Sequence, residues 1–299
     1  MTDLISSTPT GRGATERSSR RERVALLVPG LGYVTAFMAV PVLLVLSYVF
    51  FQRGRFGGVV YEFTWDNFSR AFTPTYRAVL VDSLVIAGAA TLLALLIGYP
   101  VAYAIAMLPD RLRNIALVLV VIPFWTNFLV RTYAWIVLLS NEGVVNRSLE
   151  RFGVIEDPIT LLYTRGAVIV GLVYAYLPLM ILPLYASISR LDPELREAAT
   201  NLGASRFTVF RTITWKLSLP GVLTGCIFVF VPSLGNFIIP ELLGGGKFVM
   251  VGNVVRDQFL KARDWPFGAT LALVLIVVLA VLFFVQSRVS RRLSTGGPS

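Results

Sequence analysis

Glu197-Ala198-Ala199-Thr200-Asn201-Leu202-Gly203 lies in a basic loop between two long apolar runs, and that placement decides the fold. A charged segment flanked on both sides by runs of near membrane-spanning length reads as a loop of a polytopic membrane protein. The alanines favour a close-packed helix, Glu197 offers a carboxylate to a basic partner, and Gly203 permits a turn or a close approach. The segment is a candidate joint between a membrane domain and a soluble partner. A short surface helix satisfies the same spacing.

Outward from this loop, 56% of the 299 residues are hydrophobic and the mean hydropathy is +0.72. The sequence predicts an all-α polytopic membrane protein with six spans: Val24–Phe51, Val79–Leu108, Ile115–Leu139, Ala167–Ser187, Leu219–Pro240 and Phe267–Gln286. Each is near or above the ~20 residues that cross a ~30 Å hydrocarbon layer. Pro41, Pro100, Pro123, Pro178 and Pro232 fall inside these runs, where a bundle accommodates them as kinks. The runs are continuous and do not alternate every second residue, which argues against a β-barrel.

The first run follows a polar tail, lacks a small-x-small cleavage signal and leads into further spans, so it is expected to be retained. Residues 1–23 are read as a cytoplasmic basic tail, partly disordered until Arg20-Arg21-Glu22-Arg23 meets the membrane surface. Residues 24–287 are read as the transmembrane domain, including a coupling loop at 188–218, and residues 288–299 as a second cytoplasmic tail. The tails, Asp110–Asn114 and the 188–218 loop carry 15 Lys or Arg and 7 Asp or Glu, against 11 and 9 in the three opposite loops. Both termini and the Glu197 loop are therefore expected inside.

The net charge of +10 suits anionic lipid headgroups. No finger, homeodomain or single-strand-binding pattern accompanies it, so a nucleic-acid partner is not expected. Cys226 is the only cysteine and histidine is absent, which removes an intrachain disulfide, His-dependent triads and His-ligated zinc. No catalytic or metal site is expected. The chain also lacks G-x-x-x-x-G-K-[ST], so ATP-driven transport would need nucleotide bound by another subunit.

The loops differ in content. Gln52–Ala78, Asn141–Gly166 and Glu241–Pro266 are expected outside, and Val144–Phe152 reads as a short helix with Val145, Leu149 and Phe152 on one stripe. Gly244-Gly245-Gly246 is a turning link. Inside, Asp192 is placed to cap a helix that Pro193 begins. Beyond Gly203, Arg206, Arg211 and Lys216 accompany Phe207, Val209, Phe210 and Ile213 in a second, basic amphipathic segment.

At this point the chain resembles the inner-membrane permease subunits of ATP-binding cassette importers, which carry E-A-A, three residues, G, nine residues, I-x-L-P in a cytoplasmic loop. Glu197-Ala198-Ala199, Gly203 and Ile213 match that spacing, whereas Trp215-Lys216 stands in place of Leu-Pro and Leu219-Pro220 follows four residues later. The departure leaves the docking elbow credible and puts the usual proline kink in question. Residues 123–135, PFWTNFLVRTYAW, look like the third span of spermidine/putrescine permeases, and residues 252–260 and 263–269 resemble the outer segment of their B-type subunit.

The resemblance implies a non-enzymatic permease subunit in a bacterial inner membrane. It implies a second homologous permease, two ATPase subunits that use ATP and Mg²⁺, and a periplasmic or lipid-anchored substrate-binding protein, with no cofactor in this chain. Glu197, Ala198, Ala199, Gly203, Arg206 and Arg211 would then couple to the ATPase.

Arg131 inside an apolar run would cost ~2.5–3.5 kcal/mol if left in lipid. It is expected to snorkel, face a hydrated cavity or pair, and Asp82 is a candidate partner. Residues 127, 131 and 135 share a helical face at i, i+4 and i+8. For a cationic cargo the candidate path comprises Asp82 and Glu241 as carboxylates, Trp125, Tyr133, Trp135, Tyr174 and Tyr176 as aromatic groups, and Asn127 and Arg131 as polar wall. Each aromatic residue also fits an interfacial anchor or a packing role. Two other readings stay open: a permease for another small metabolite, such as an amino acid derivative, phosphonate or ferric ion, and a membrane scaffold without a solute path.

Overall fold

The computed structural model describes the backbone of residues 12–295 and the side-chain surroundings of residues 29–288 apart from position 31. Helix α1 (Arg12–Tyr48) leads into an antiparallel hairpin, β1 (Phe51–Arg53) with β2 (Val59–Phe63). Then follow α2 (Asp66–Ala71), α3 (Pro74–Met107), α4 (Asp110–Trp125), α5 (Phe128–Leu139), α6 (Val144–Arg151) and α7 (Arg165–Ile188). The 188–218 loop forms α8 (Pro193–Asn201) and α9 (Arg206–Val209). A π-helical turn at Phe210–Thr214 opens into α10 (Trp215–Gly235), followed by α11 (Ile238–Gly244), α12 (Val251–Leu260) and α13 (Trp265–Thr295). Apart from the hairpin, the expected all-α class holds.

Among the described residues five helical stretches, not six, are long and apolar enough to span a membrane: Pro74–Met107, Phe128–Arg151, Arg165–Ile188, Arg206–Gly235 and Trp265–Arg288. Within the first expected span the apolar stretch Gly32–Tyr48 is shorter, and beyond Tyr48 the chain turns into β1. The third is broken. Thr126 is extended, and Asn127 caps α5 by accepting from the backbone N–H of Leu129 at 2.8 Å and of Val130 at 3.4 Å. Local side-chain hydrogen bonds of this kind displace the helical ladder. From Arg12 onward the tail expected to be irregular is drawn into α1, while residues 1–11 and 296–299 of the two expected tails lie outside the described residues.

Helix α7 is the centre of the bundle and packs most extensively against α3 and α10. Leu172, Met180 and Leu184 are fully buried there. Lipid tails are as apolar as leucine, so close backbone approach at small residues drives such contacts. At Gly221 of α10 an added Cβ would stand 2.4 Å from the Ser187 Cβ and 2.8 Å from the Pro183 carbonyl oxygen of α7.

Outside the bundle core, Asp264 is 1% exposed, pairs with Arg70 of α2 at 2.9 Å, and accepts from the backbone N–H of Phe267 at 3.2 Å. The Arg70 guanidinium also covers the Phe267 ring at 4.1 Å. Asp264→Ala is expected to destabilise the protein by about 1–3 kcal/mol, because it strips partners from both groups. A thermal melt in detergent checks this; a melting temperature equal to wild type would exclude a structural role for the pair.

Candidate functional site

The α8–α9 elbow forms as its residues dictate. Asp192 accepts from the backbone N–H of Glu194 at 2.9 Å, and Pro193 occupies the first turn of α8. The helix ends in a Schellman arrangement: Gly203 N–H reaches the Thr200 carbonyl at 2.9 Å and Ala204 N–H the Ala199 carbonyl at 3.1 Å. This closure requires the left-handed conformation seen at Gly203, φ +85°. Ser205 then caps α9 through the Thr208 N–H at 3.2 Å.

Between the two helices opens a cleft of about 610 Å³, walled by Arg196, Glu197 and Thr200 of α8, Arg206 and Phe210 beyond the turn, and Tyr103 of α3. Glu197, Ala198, Arg206 and Arg211 are exposed, Ala199 is half-buried, and Leu202 and Phe207 project apolar side chains outward at 89% and 71% exposure. An acidic, alanine-rich helix flanked by exposed apolar tips is a surface suited to a protein partner.

The elbow joins the bundle through two tyrosines of α3 that the sequence reading did not single out. Tyr99 of α3 packs edge-on to Phe210 at 5.8 Å and against Trp215 at 5.1 Å, and Tyr103 meets Phe210 edge-on at 6.2 Å. The buried Tyr99 hydroxyl is 2.9 Å from Ser218 Oγ. Two tyrosines at i and i+4 near the end of an apolar run were the available signal. Position 216 carries lysine within α10, and a π turn at Phe210–Thr214 precedes it; such turns are a common cause of helix bending.

Deeper in the bundle the candidate path residues divide. Trp135 packs edge-on to Tyr174 at 5.5 Å, whereas Trp125 and Tyr133 are 82% and 54% exposed. Asn127 caps α5 and so leaves the helical face expected for it, which retains Arg131 and Trp135. Asp82 does not meet Arg131; it pairs with Arg165 at 3.0 Å. Arg131 instead places its guanidinium 5.7 and 5.8 Å from the rings of Phe124 and Phe128, with Nε and Nη1 buried and without a hydrogen-bond partner.

Glu241 of α11 accepts from Arg256 of α12, whose guanidinium also binds Asp257 at 2.7 Å and lies 5.2 Å from the Phe237 ring. The Glu241 hydrogen bond is the main reason that the Arg256 pKa is raised, with Asp257 adding to it against the effect of burial. Burial pushes Asp257 up, but hydrogen bonds from Lys261 and Arg256 together hold its carboxyl below the usual range. Among the described residues no cluster of three or more Asp, Glu or Cys side chains could hold a metal.

Tyr176 lies elsewhere, at the junction of α10 and α11. Its hydroxyl accepts from Asn236 Nδ2 at 2.8 Å, and Asn236 Oδ1 accepts from the Ile239 N–H at 2.9 Å. A cavity of about 350 Å³ adjoins this junction.

These features define a polytopic membrane protein whose bundle carries an exposed helix–turn–helix elbow. A family described as "Binding-protein-dependent transport system inner membrane component" matches residues 90–295. The spermidine/putrescine transport system permease protein PotB of Escherichia coli K12 is 42% identical over 269 residues, covering 90% of this chain and 98% of that protein. PotB of Haemophilus influenzae is 42% identical over 258 residues, covering 86% and 90% respectively. A chain of a bacterial alginate ABC transporter, solved with its alginate-bound periplasmic protein, shares the fold with a TM-score of 0.73 at 20% identity, over 96% of this chain and all of that one. The chain belongs to the family of inner-membrane components of binding-protein-dependent transport systems.

Proposed function

We propose that the chain is a permease subunit of an ATP-driven importer of spermidine, putrescine or a similar organic cation. The observation that carries this reading is the 42% identity to PotB over almost the whole of both chains. The second permease, two ATPase subunits that bind ATP and Mg²⁺, and a periplasmic or lipid-anchored receptor complete the machine. Both termini and the α8–α9 elbow face the cytoplasm. Glu197, Ala198, Ala199 and Gly203 dock in a groove of the ATPase, and Arg206 and Arg211 support the same helix–turn–helix. The Tyr99, Phe210 and Trp215 contacts carry its movement into α3. Trp125, Asn127 and Tyr133 are exposed at and beyond the α4–α5 break, where the second permease would cover them.

Reconstitution with these partners in proteoliposomes tests the reading through uptake of spermidine and putrescine against neutral and anionic metabolites. Uptake confined to the neutral or anionic compounds would move the chain to a permease for another metabolite.

Asp82 and Glu241 are half-exposed, at 48% and 44%, beside Arg165 and Arg256. They favour an approaching cation; loss of Asp82 removes the carboxylate beside Arg165, and loss of Glu241 leaves Arg256 with Asp257 alone. Asp82→Asn and Glu241→Gln are each expected to lower spermidine uptake several-fold with the complex still assembled, and by more than Arg131→Gln does. Wild-type uptake in both acid variants would remove them from the path.

A further inference from the structure

Four aromatic side chains of the β1–β2 hairpin and the turn after it, Phe56, Tyr61, Phe63 and Trp65, are between 61% and 91% exposed. A cluster of rings left open by its own chain marks a surface that something else covers. The rings hold one another in place. Phe63 stacks on Phe50 at 5.9 Å and meets Trp65 edge-on at 5.6 Å, while Tyr61 meets Phe51 edge-on at 5.1 Å. Their exposure therefore belongs to a packed surface.

The depth of this surface is fixed at both ends of the hairpin. At its base, Asn67 Nδ2 donates to the carbonyls of Val49 and Phe51 at 3.0 and 2.9 Å, which holds α2 at the end of α1. At its tip, Gly58 N–H reaches the Arg263 carbonyl at 2.9 Å, and Arg53 Nη2 donates to the Ala262 carbonyl at 2.7 Å. An added Cβ at Gly57 would stand 2.7 Å from the Arg263 Cβ. Ala262 and Arg263 shortly precede Trp265, where the apolar stretch Trp265–Arg288 begins. The hairpin thus lies across the ends of two apolar helices, α1 and α13, and does not project away from them. That is the level of the boundary between headgroups and acyl chains, where aromatic residues gather because a ring can be buried while its polar edge stays wet. Alongside, α1 exposes Tyr33, Phe37 and Leu43, so the aromatic surface continues an apolar one. Arg55, beside Phe56, is exposed, and its side chain is long enough to reach a lipid phosphate.

We propose that the hairpin is a membrane-interface anchor. Phe56, Tyr61, Phe63 and Trp65 insert at the headgroup boundary of the leaflet at this end of the bundle, the outer leaflet in the orientation given above, and Arg55 meets its phosphates. The occupant is lipid, because the rings lie at the depth of the helix ends and run on from the exposed side of α1. Through Arg53, Gly57 and Gly58 the same hairpin grips the α12–α13 link, so the start of α13 is held at a fixed depth in the membrane. The inference is independent of the cargo.

The test places one nitroxide spin label on the assembled complex in phosphatidylethanolamine and phosphatidylglycerol vesicles. The background is Cys226→Ala with cysteine-free partner subunits, and the label is attached at Phe56→Cys or, in a second variant, at Tyr61→Cys. Glu156→Cys, exposed between α6 and α7, serves as the aqueous reference. Oxygen concentrates in the bilayer and a nickel chelate stays in water. Without the receptor, the ratio of oxygen to nickel collision rates at 56 and 61 should exceed that at 156 by about threefold or more, as for side chains seated at the acyl boundary, and receptor binding should leave it unchanged. A ratio at both sites equal to that at 156 overturns the anchor. Slow collision with both probes overturns it too, by placing another subunit over the rings. Loss of collisions only when the receptor binds overturns it in favour of a receptor dock.

Discussion

Gly221→Leu is expected to leave no stably assembled permease in the membrane, and Gly221→Ala to lower the melting temperature in detergent by several degrees. The reason is distance. An added Cβ at this position meets both the Ser187 side chain and the Pro183 backbone carbonyl, at 2.4 and 2.8 Å. A carbonyl in the middle of a packed helix cannot swing aside as a flexible side chain can. Overpacking a tight contact typically costs about 1–3 kcal/mol, and a leucine here forces α10 away from α7 along one of the two most extensive seams of the bundle. Membrane-fraction abundance and thermal melting measure the effect, and a leucine variant that melts with wild type would show that the seam is looser than described.

The second large effect is expected at the elbow. Glu197→Ala and Gly203→Val should each reduce ATP-driven uptake about tenfold or more, with receptor binding and bundle stability close to wild type. For Gly203 the cause is conformational. Nothing lies within 4 Å of an added Cβ, but φ is +85°, which costs an L residue roughly 1–2 kcal/mol and a β-branched one more. Gly203→Asn, which tolerates that conformation, should retain most of the activity. Comparing the asparagine and valine variants separates a needed turn from a needed small residue. Full coupling in both Glu197→Ala and Gly203→Val, with ATPase assembly intact, would reject the elbow as the docking joint.

Much of this molecule was legible from local pattern. Hydropathy placed most of the spanning segments, because apolar length is set by bilayer thickness and needs no knowledge of neighbours. Asp192, Pro193 and Gly203 marked the ends of α8 for the same reason: caps and left-handed turns are settled within a few residues. The E-A-A spacing pointed to a permease, and the family match agrees.

Contacts between distant parts of the chain were not legible in that way. Asp82 could have met Arg131 or Arg165 as far as charge and depth were concerned, and the packing of α3 against α7 selected Arg165. The break at Thr126–Asn127 interrupts a run that reads as continuous, since one side-chain cap outweighs the apolar period around it. Tyr99 met Phe210, Trp215 and Ser218 across more than a hundred residues. Hydrophobicity and local hydrogen bonding act within a turn or two, so they write spans and caps into the chain; pairing across a bundle depends on helix rotation and depth, which arise when the helices pack.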